Sequence, residues 1–423
     1  MQNNPDKKGA FLLGMPLEKG RWALIASCLI INLCLGTIYS WSVFVNPLTD
    51  YFSTNLGQAV TANEVLMPFS LFLAIFAITM ALTGTYVENR GPREVTVVGC
   101  ILTGLGWLLA SMVTSITMLS VLYGVIGGIG VGIVYGATVA VAARWFPDRR
   151  GLAVGMAVFG VGFSAFITAN LAGFFIAAYG VMSTFRIFGI GILIITVPLA
   201  LPLTFPPAGW KPAGWNPPVP NKGEHLTCEH NRSEMVKNSA FYGLWICYFI
   251  GCIAGLMAIS ISQPVGIELI YIPACLATAL VGFFAIFNGC GRPLFGYLTD
   301  RLNPGKTAMI SFVLISLASL LMWQVPVYPV YIIAFAVLWG CLGGWLAIAP
   351  TATAGYFGTG DYPRCYGVVF LAYGAGAIAG PQLAGLIRTT TGSYLGVFPC
   401  VLALAIVGFI VAFFLMKPPE QKS

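Results

Sequence analysis

The sequence predicts an all-α integral membrane protein with twelve transmembrane helices in two six-helix repeats. Three observations carry this. Of 423 residues, 58% are hydrophobic and 8% charged, against about 25% charged in a soluble protein; mean hydropathy is +0.87. Twelve apolar segments are each long enough to cross a bilayer as a helix. Basic residues gather on one side of the crossings, as they do in cytosolic loops.

The chain opens on a hydrophilic tail, residues 1–20. Its apolar patch from Ala10 to Met15 is too short for a signal-peptide core and runs into Glu18 and Lys19. Spans are expected at 21–46, 62–87, 94–113, 116–143, 150–176 and 183–205, forming a first bundle over 21–205. Residues 206–239 are rich in Pro, Trp, Gly and charge and read as a linker. A second bundle, 240–416, holds spans at 240–263, 272–298, 306–325, 328–355, 365–388 and 393–416; a short tail, 417–423, follows.

An even number of crossings puts both termini on one side. Of the 21 Lys and Arg, all but Arg186, Arg388 and Arg292 fall on that side. Both tails and the linker are therefore expected in the cytosol, with the spans in the cell (inner or plasma) membrane. The net charge of +7 follows from this placement and is no sign of nucleic-acid binding. Most of the eleven cysteines lie inside apolar segments and read as small core residues. The sequence leaves the oligomeric state open, a monomer included.

The halves repeat at a shift of 212. Gly84 falls on Gly296, Glu88 on Asp300, Gly128 on Gly340, Gly132 on Gly344, Gly155 on Gly367 and Gly162 on Gly374. Paired six-helix repeats suggest a transporter with its site between the halves near mid-membrane. The fourth span adds a stripe at Gly124, Gly128, Gly132 and Gly136, suited to close helix packing.

The same shift maps Arg292 onto Met80 and Asn288 onto Phe76, so the charge is no part of the repeated scaffold. Arg292 lies in Phe287-Asn288-Gly289-Cys290-Gly291-Arg292-Pro293, inside an apolar segment with no nearby acid. At about 1.5 Å of rise per residue it stands roughly 12 Å inside the end marked by Asp300. A mid-membrane arginine costs about 2.5–3.5 kcal/mol on insertion scales. The bland reading is a snorkelling side chain, but helical side chains lean toward the N-terminus, here deeper into the bilayer. A substrate or ion-path role is the better reading. Asn288, one turn away, is placed to donate to a carboxylate or to a 2-hydroxyl or keto oxygen. Arg292 itself can grip a carboxylate with two parallel hydrogen bonds.

Two turns on the terminal side read Gly84-Thr-Tyr-Val-Glu88-Asn-Arg90-Gly-Pro-Arg93 and Gly296-Tyr-Leu-Thr-Asp300-Arg301. An acid at a helix C-terminus opposes the helix dipole and wants cationic partners. These turns are expected to act as a charged cytosolic latch; simple topology anchoring is the alternative.

The paired Gly-x-x-x-acid turns resemble the signature loop of the major facilitator superfamily. Arg144-Trp-Phe-Pro-Asp-Arg149-Arg150-Gly-Leu-Ala-Val-Gly155 resembles the fifth-helix signature of monocarboxylate transporters and bacterial oxalate/formate antiporters. Gly209-Trp210-Lys211-Pro212-Ala-Gly214-Trp215 resembles the antiporters' central loop, and the segment around Arg292 resembles the helix whose arginine binds substrate carboxylate in both groups. The resemblance implies a carrier with Arg292 as its anion ligand. Two departures refine it. The antiporters place a lysine in the eleventh helix where this chain has Tyr373. Oxalate wants two cations; one cation suits a monocarboxylate such as lactate or pyruvate. Animal monocarboxylate transporters carry an aspartate one turn before the arginine and a lysine in the first helix. Here the first is Asn288 and the second is missing, so the usual proton-relay carboxylate is not in place.

The expected function is secondary active transport of small monocarboxylates, proton-coupled symport by alternating access. An anion exchanger of the oxalate/formate kind is the alternative, and a membrane-embedded sensor or enzyme a third. The enzyme is disfavoured: both histidines lie in the linker, and no nucleophile–base pair, phosphate loop or cofactor motif is present. The expected substrate ligands are Arg292, Asn288, Tyr39, Tyr135, Phe370 and Tyr373. Glu268 is the candidate for the proton. His225, Cys228 and His230 are too tightly spaced and too few for a closed zinc site, so no metal or cofactor is expected.

Overall fold

The computed structural model describes residues 11–12, 14–56, 59–207, 209–214, 231–358 and 362–418. The N-terminal ten residues, the C-terminal tail from 419 and the trio His225, Cys228 and His230 lie outside the described residues. Among the described residues twelve helices are long and apolar enough to cross a membrane. They are α1 (Leu17–Asn55), α2 (Ala62–Arg90), α3 (Pro92–Ala110), α4 (Ile116–Trp145), α5 (Arg150–Tyr179) and α6 (Val181–Ala200). After the linker come α7 (Ser239–Glu268), α8 (Ala274–Leu302), α9 (Pro304–Gln324), α10 (Tyr328–Phe357), α11 (Tyr362–Thr391) and α12 (Val397–Leu415).

The helices outrun the hydropathy-based spans because polar first and last turns stay helical. α1 begins inside the expected tail and is broken at Gly36–Ser40 by a 3-10 turn. α2 starts on a capping box, Thr61 and Glu64 exchanging side-chain and backbone bonds. α4 holds a π-helical stretch at Ser120–Gly127, a deviation common near functional sites.

The repeat is visible in the packing. In the first half α1 packs on α5, α2 on α4 and α3 on α6; in the second, α7 packs on α11, α8 on α10 and α9 on α12. The halves meet where α2 crosses α11 and α5 crosses α8, with α1 against α7. Backbone turns repeat too. Gly91 has φ 83° and Asn303 φ 82°, each followed by a helix-starting proline. Gly180 has φ 80° and Gly392 φ 75°. Each pair is 212 residues apart, and each needs a left-handed conformation that glycine or asparagine supplies at low cost.

The glycine stripe of α4 lies against α2 as expected. A Cβ at Gly124, Gly128 or Gly132 would meet the carbonyl oxygens of Pro68, Phe72 and Phe76 at 3.1, 2.6 and 2.7 Å. Seven of the described cysteines are buried and Cys400 is half-buried, but Cys275 and Cys290 are exposed on α8. Those two face away from the core because the opposite face of α8 is occupied by Asn288 and Arg292.

Candidate functional site

Arg292 is buried, at 6% exposure. Its Nη1 donates to the carbonyl of Val158 on α5 at 2.6 Å. Its Nε and Nη2 are buried without a hydrogen-bond partner. Those two nitrogens form the side edge of the guanidinium, the edge that takes a carboxylate by two parallel bonds. Among the described residues no ion pair reaches Arg292.

The local reason for this arrangement is Gly162. One turn beyond Val158 on α5, it has no side chain to cover that carbonyl. A Cβ there would meet Asn288 Oδ1 at 2.9 Å, Arg292 Nε at 3.1 Å and Gly289 Cα at 3.1 Å. The α5–α8 crossing is therefore tight, and Gly162 borders the unpartnered edge of the arginine.

Asn288 differs from expectation. Its amide nitrogen is committed to the Trp339 carbonyl on α10 at 3.0 Å, and its Oδ1 is buried without a partner. Since Trp339 O can only accept, the amide is oriented nitrogen toward α10. Asn288 turns an acceptor toward Gly162 and Arg292, where a donor was expected.

The aromatic candidates come together. Tyr39 on α1 and Tyr373 on α11 share a hydroxyl–hydroxyl hydrogen bond of 2.9 Å across the two halves. The Tyr373 ring stacks on Phe370, centroids 5.0 Å apart. Phe76 on α2 sits edge-on to Tyr135, Phe370 and Tyr373 at 5.4, 5.5 and 5.8 Å. The hydroxyl of Tyr39 lies within electrostatic reach of Arg292, and that of Tyr135 stands directly beside its guanidinium. All four expected rings are buried rather than interfacial.

Three neighbours were missed by sequence reasoning. Phe76 was legible, since it is the repeat counterpart of Asn288. Gly162 was noted only as a scaffold glycine. Tyr248 on α7, which lies 6.4 Å from Phe370 with its hydroxyl unpartnered, carried no signal beyond a tyrosine far from the span ends.

Glu268 is not part of this cluster. It ends α7 and pairs with Arg388 of α11, Arg388 Nε donating to Oε2 at 2.6 Å. Of the expected latch, the Asp300 half is described. Among the described residues Asp300 makes no ion pair and is exposed. Arg90 and Arg301 instead lie over Tyr86 and Tyr297 of their own helices, at 5.7 and 5.4 Å. Arg93 is exposed, and the Glu88 side chain lies outside the described residues. At these turns a Cβ at Gly84 or Gly155 meets nothing within 4 Å and one at Gly296 only Ala347 at 3.8 Å, while deeper in, a Cβ at Gly367 of α11 would meet Ala81 of α2 at 3.3 Å. At the opposite end the halves are pinched. A Cβ at Gly385 would meet Asn63 Cα at 2.6 Å, and one at Gly173 would meet Thr278 at 2.8 Å.

The helix-five signature and the central-loop motif meet in space. Arg21 of α1 is 7% exposed and grips Asp148 with two bonds of 2.8 and 3.3 Å. It also pairs with Glu18 at 3.0 Å and lies 4.5 Å from the Phe146 ring and 5.8 Å from that of Trp210. Trp210 packs edge-on against Trp145 at 5.0 Å. The first part of the linker is thus clamped to the first half. Arg21→Ala strands the Asp148 carboxylate and is expected to cost about 3 kcal/mol, read as a lowered melting temperature of the detergent-solubilised protein; an unchanged melt sinks the clamp.

The family model of the Major Facilitator Superfamily matches residues 25–354 and 272–423. The chain belongs to that superfamily. It is 30% identical over 394 residues to the oxalate:formate antiporter of Oxalobacter formigenes, covering 92% of this chain and 89% of that protein. It is 28% identical over 416 residues to monocarboxylate transporter 13 of Bos taurus, covering 95% and 92%. Monocarboxylate transporter 12 of Homo sapiens is 23% identical over 419 residues, covering 89% and 77%. The fold matches that of a bacterial homologue of the human lysosomal transporter Spinster in an inward-facing, unoccupied conformation. The TM-score is 0.70 at 15% identity, covering 96% of this chain and 99% of that one. The molecule is thus a multi-pass membrane transporter of the monocarboxylate and oxalate/formate branch, and not an enzyme.

Proposed function

We propose that this facilitator carries small monocarboxylates of the lactate and pyruvate type in symport with a proton, by alternating access. The observation that carries the reading is the free edge of Arg292: two buried, unpartnered donors on the one buried cation that, among the described residues, has no acidic partner. A carboxylate supplies the missing acceptors and neutralises the charge. Asn288 Oδ1 then faces the substrate as an acceptor suited to a 2-hydroxyl. Tyr39, Tyr135, Phe370 and Tyr373 wall the pocket. Loading relieves an unfavourable buried charge, which favours rocking of the halves about the site. The lopsided basic residues support both termini in the cytosol and a cell-membrane location. The acid turns at Glu88 and Asp300 then serve as a cytosolic latch during the cycle.

The test is uptake of labelled L-lactate into proteoliposomes under an inward proton gradient. Accumulation that collapses with a protonophore is expected. The 30% identity to an oxalate:formate antiporter favours a second reading, anion exchange. Rapid uptake only when the vesicles are preloaded with formate, oxalate or lactate selects it. Tyr373 decides substrate charge in either case. Tyr373→Lys adds the second cation a dicarboxylate needs and is expected to shift competition toward oxalate; an unchanged inhibitor profile means that position does not face substrate.

A further inference from the structure

At the outer end lies a second ionisable site. A cavity of about 210 Å³ opens there between the halves. Asn46 and Thr49 of α1 and Thr61 before α2 line one side; Glu268, Arg388 and Tyr394 line the other. The Glu268–Arg388 pair is partly exposed, at 33% for Arg388 and 30% for Glu268, so it is weakly held. Arg388 also lies 5.8 Å from the Tyr394 ring. Burial, then the Glu268 charge, push the Tyr394 phenol above its ordinary value, with Arg388 opposing; it stays a neutral hydroxyl. Among the lining residues Arg388 and Tyr394 are the charged and titratable groups facing Glu268; α1 and the start of α2 present the uncharged Asn46, Thr49 and Thr61, with the Glu64 carboxylate behind, accepting from Thr61 Oγ1 at 2.7 Å.

The geometry points to this cavity as an outer loading site that takes up one monocarboxylate and one proton together. The inference rests on the monocarboxylate reading above. Among the described residues no carboxylate pairs with Arg292, so the proton needs another port. Water delivers a proton to Glu268, the Glu268–Arg388 bond breaks, and the freed guanidinium takes the substrate carboxylate in its place. A neutral ion pair is replaced by a neutral acid and a new neutral ion pair, so loading leaves the net charge unchanged. The Tyr394 hydroxyl remains for a 2-hydroxyl or keto oxygen. Separation of α1 and α2 from α7 and α11 then exposes the path inward to Arg292.

The sign is definite: a more acidic exterior frees Arg388 and tightens external binding. A single linked proton changes the external half-saturation by up to about tenfold per pH unit. The experiment measures L-lactate influx and efflux in vesicles of one orientation, at acidic and mildly alkaline exterior with the interior fixed. Wild type is expected to show an external KM that rises with external pH and an internal KM that does not. Glu268→Gln flattens the external dependence. Arg388→Gln raises external KM at every pH and leaves internal KM unchanged, while Arg388→Lys, which keeps the charge, restores part of the affinity and controls for folding. A Glu268→Gln profile that keeps the wild-type slope overturns the outer site, as does an Arg388→Gln variant that shifts both KM values equally. If wild type carries lactate and Arg292→Ala does not, such a result removes the outer site alone; no lactate transport by wild type removes both readings.

Discussion

Arg292→Ala abolishes substrate binding and leaves the carrier folded. The variant removes both donors of the free edge, Nε and Nη2. Truncating one side of a buried charged pair costs about 3–5 kcal/mol of binding, a weakening of roughly two to four orders of magnitude. The empty protein loses an uncompensated buried charge at the same time. Its melting temperature is expected to hold or rise, because desolvation of a lone guanidinium opposes folding in the empty state. Calorimetric titration with L-lactate reads the first effect and a thermal melt the second. Arg292→Lys separates charge from geometry: an ammonium keeps the charge without the two-pronged edge and falls between wild type and alanine. Retained lactate affinity in the alanine variant removes Arg292 from the substrate site.

The second large effect is expected where no charge is involved. Gly162→Ala puts a methyl group 2.9 Å from Asn288 Oδ1 and 3.1 Å from Arg292 Nε. Asn288 is anchored to Trp339 and Arg292 to Val158, so neither yields freely. The methyl crowds the edge that receives the carboxylate. Loss of one charged hydrogen bond there weakens binding by roughly 10- to 100-fold. Helix propensity favours alanine over glycine by about 1 kcal/mol, which offsets much of the packing strain, so stability stays near wild type. Gly162→Val adds bulk and is expected to abolish transport. Wild-type affinity in Gly162→Ala means that the substrate approaches Arg292 from another side.

Both predictions combine a residue legible in the sequence with one that was not. Arg292 was legible because a lone charge in an apolar span has a large solvation cost, and that cost does not depend on neighbours. The twelve helices and the repeat were legible for the same kind of reason. Bilayer thickness sets helix length, backbone satisfaction forces helices, and the left-handed turns at Gly91, Asn303, Gly180 and Gly392 fall at the same 212-residue shift as the glycines. Tyr373 and Tyr39, both expected at the site, meet in the structure.

Contacts between helices distant in sequence were not legible. Asn288 reads in sequence as a donor and stands in the structure as an acceptor, because the Trp339 carbonyl, 51 residues away, claims its nitrogen. Glu268 reads as a lone outer acid and is paired with Arg388, 120 residues on. The Arg-Trp-Phe-Pro-Asp motif and the Gly-Trp motif of the linker read as separate signatures and close on Arg21. By itself the sequence determined what each segment must do alone: span, turn, repeat and carry one arginine deep inside a span. Only the tertiary structure decided which donors and acceptors remain free, since a polar group's availability depends on which distant backbone packs against it.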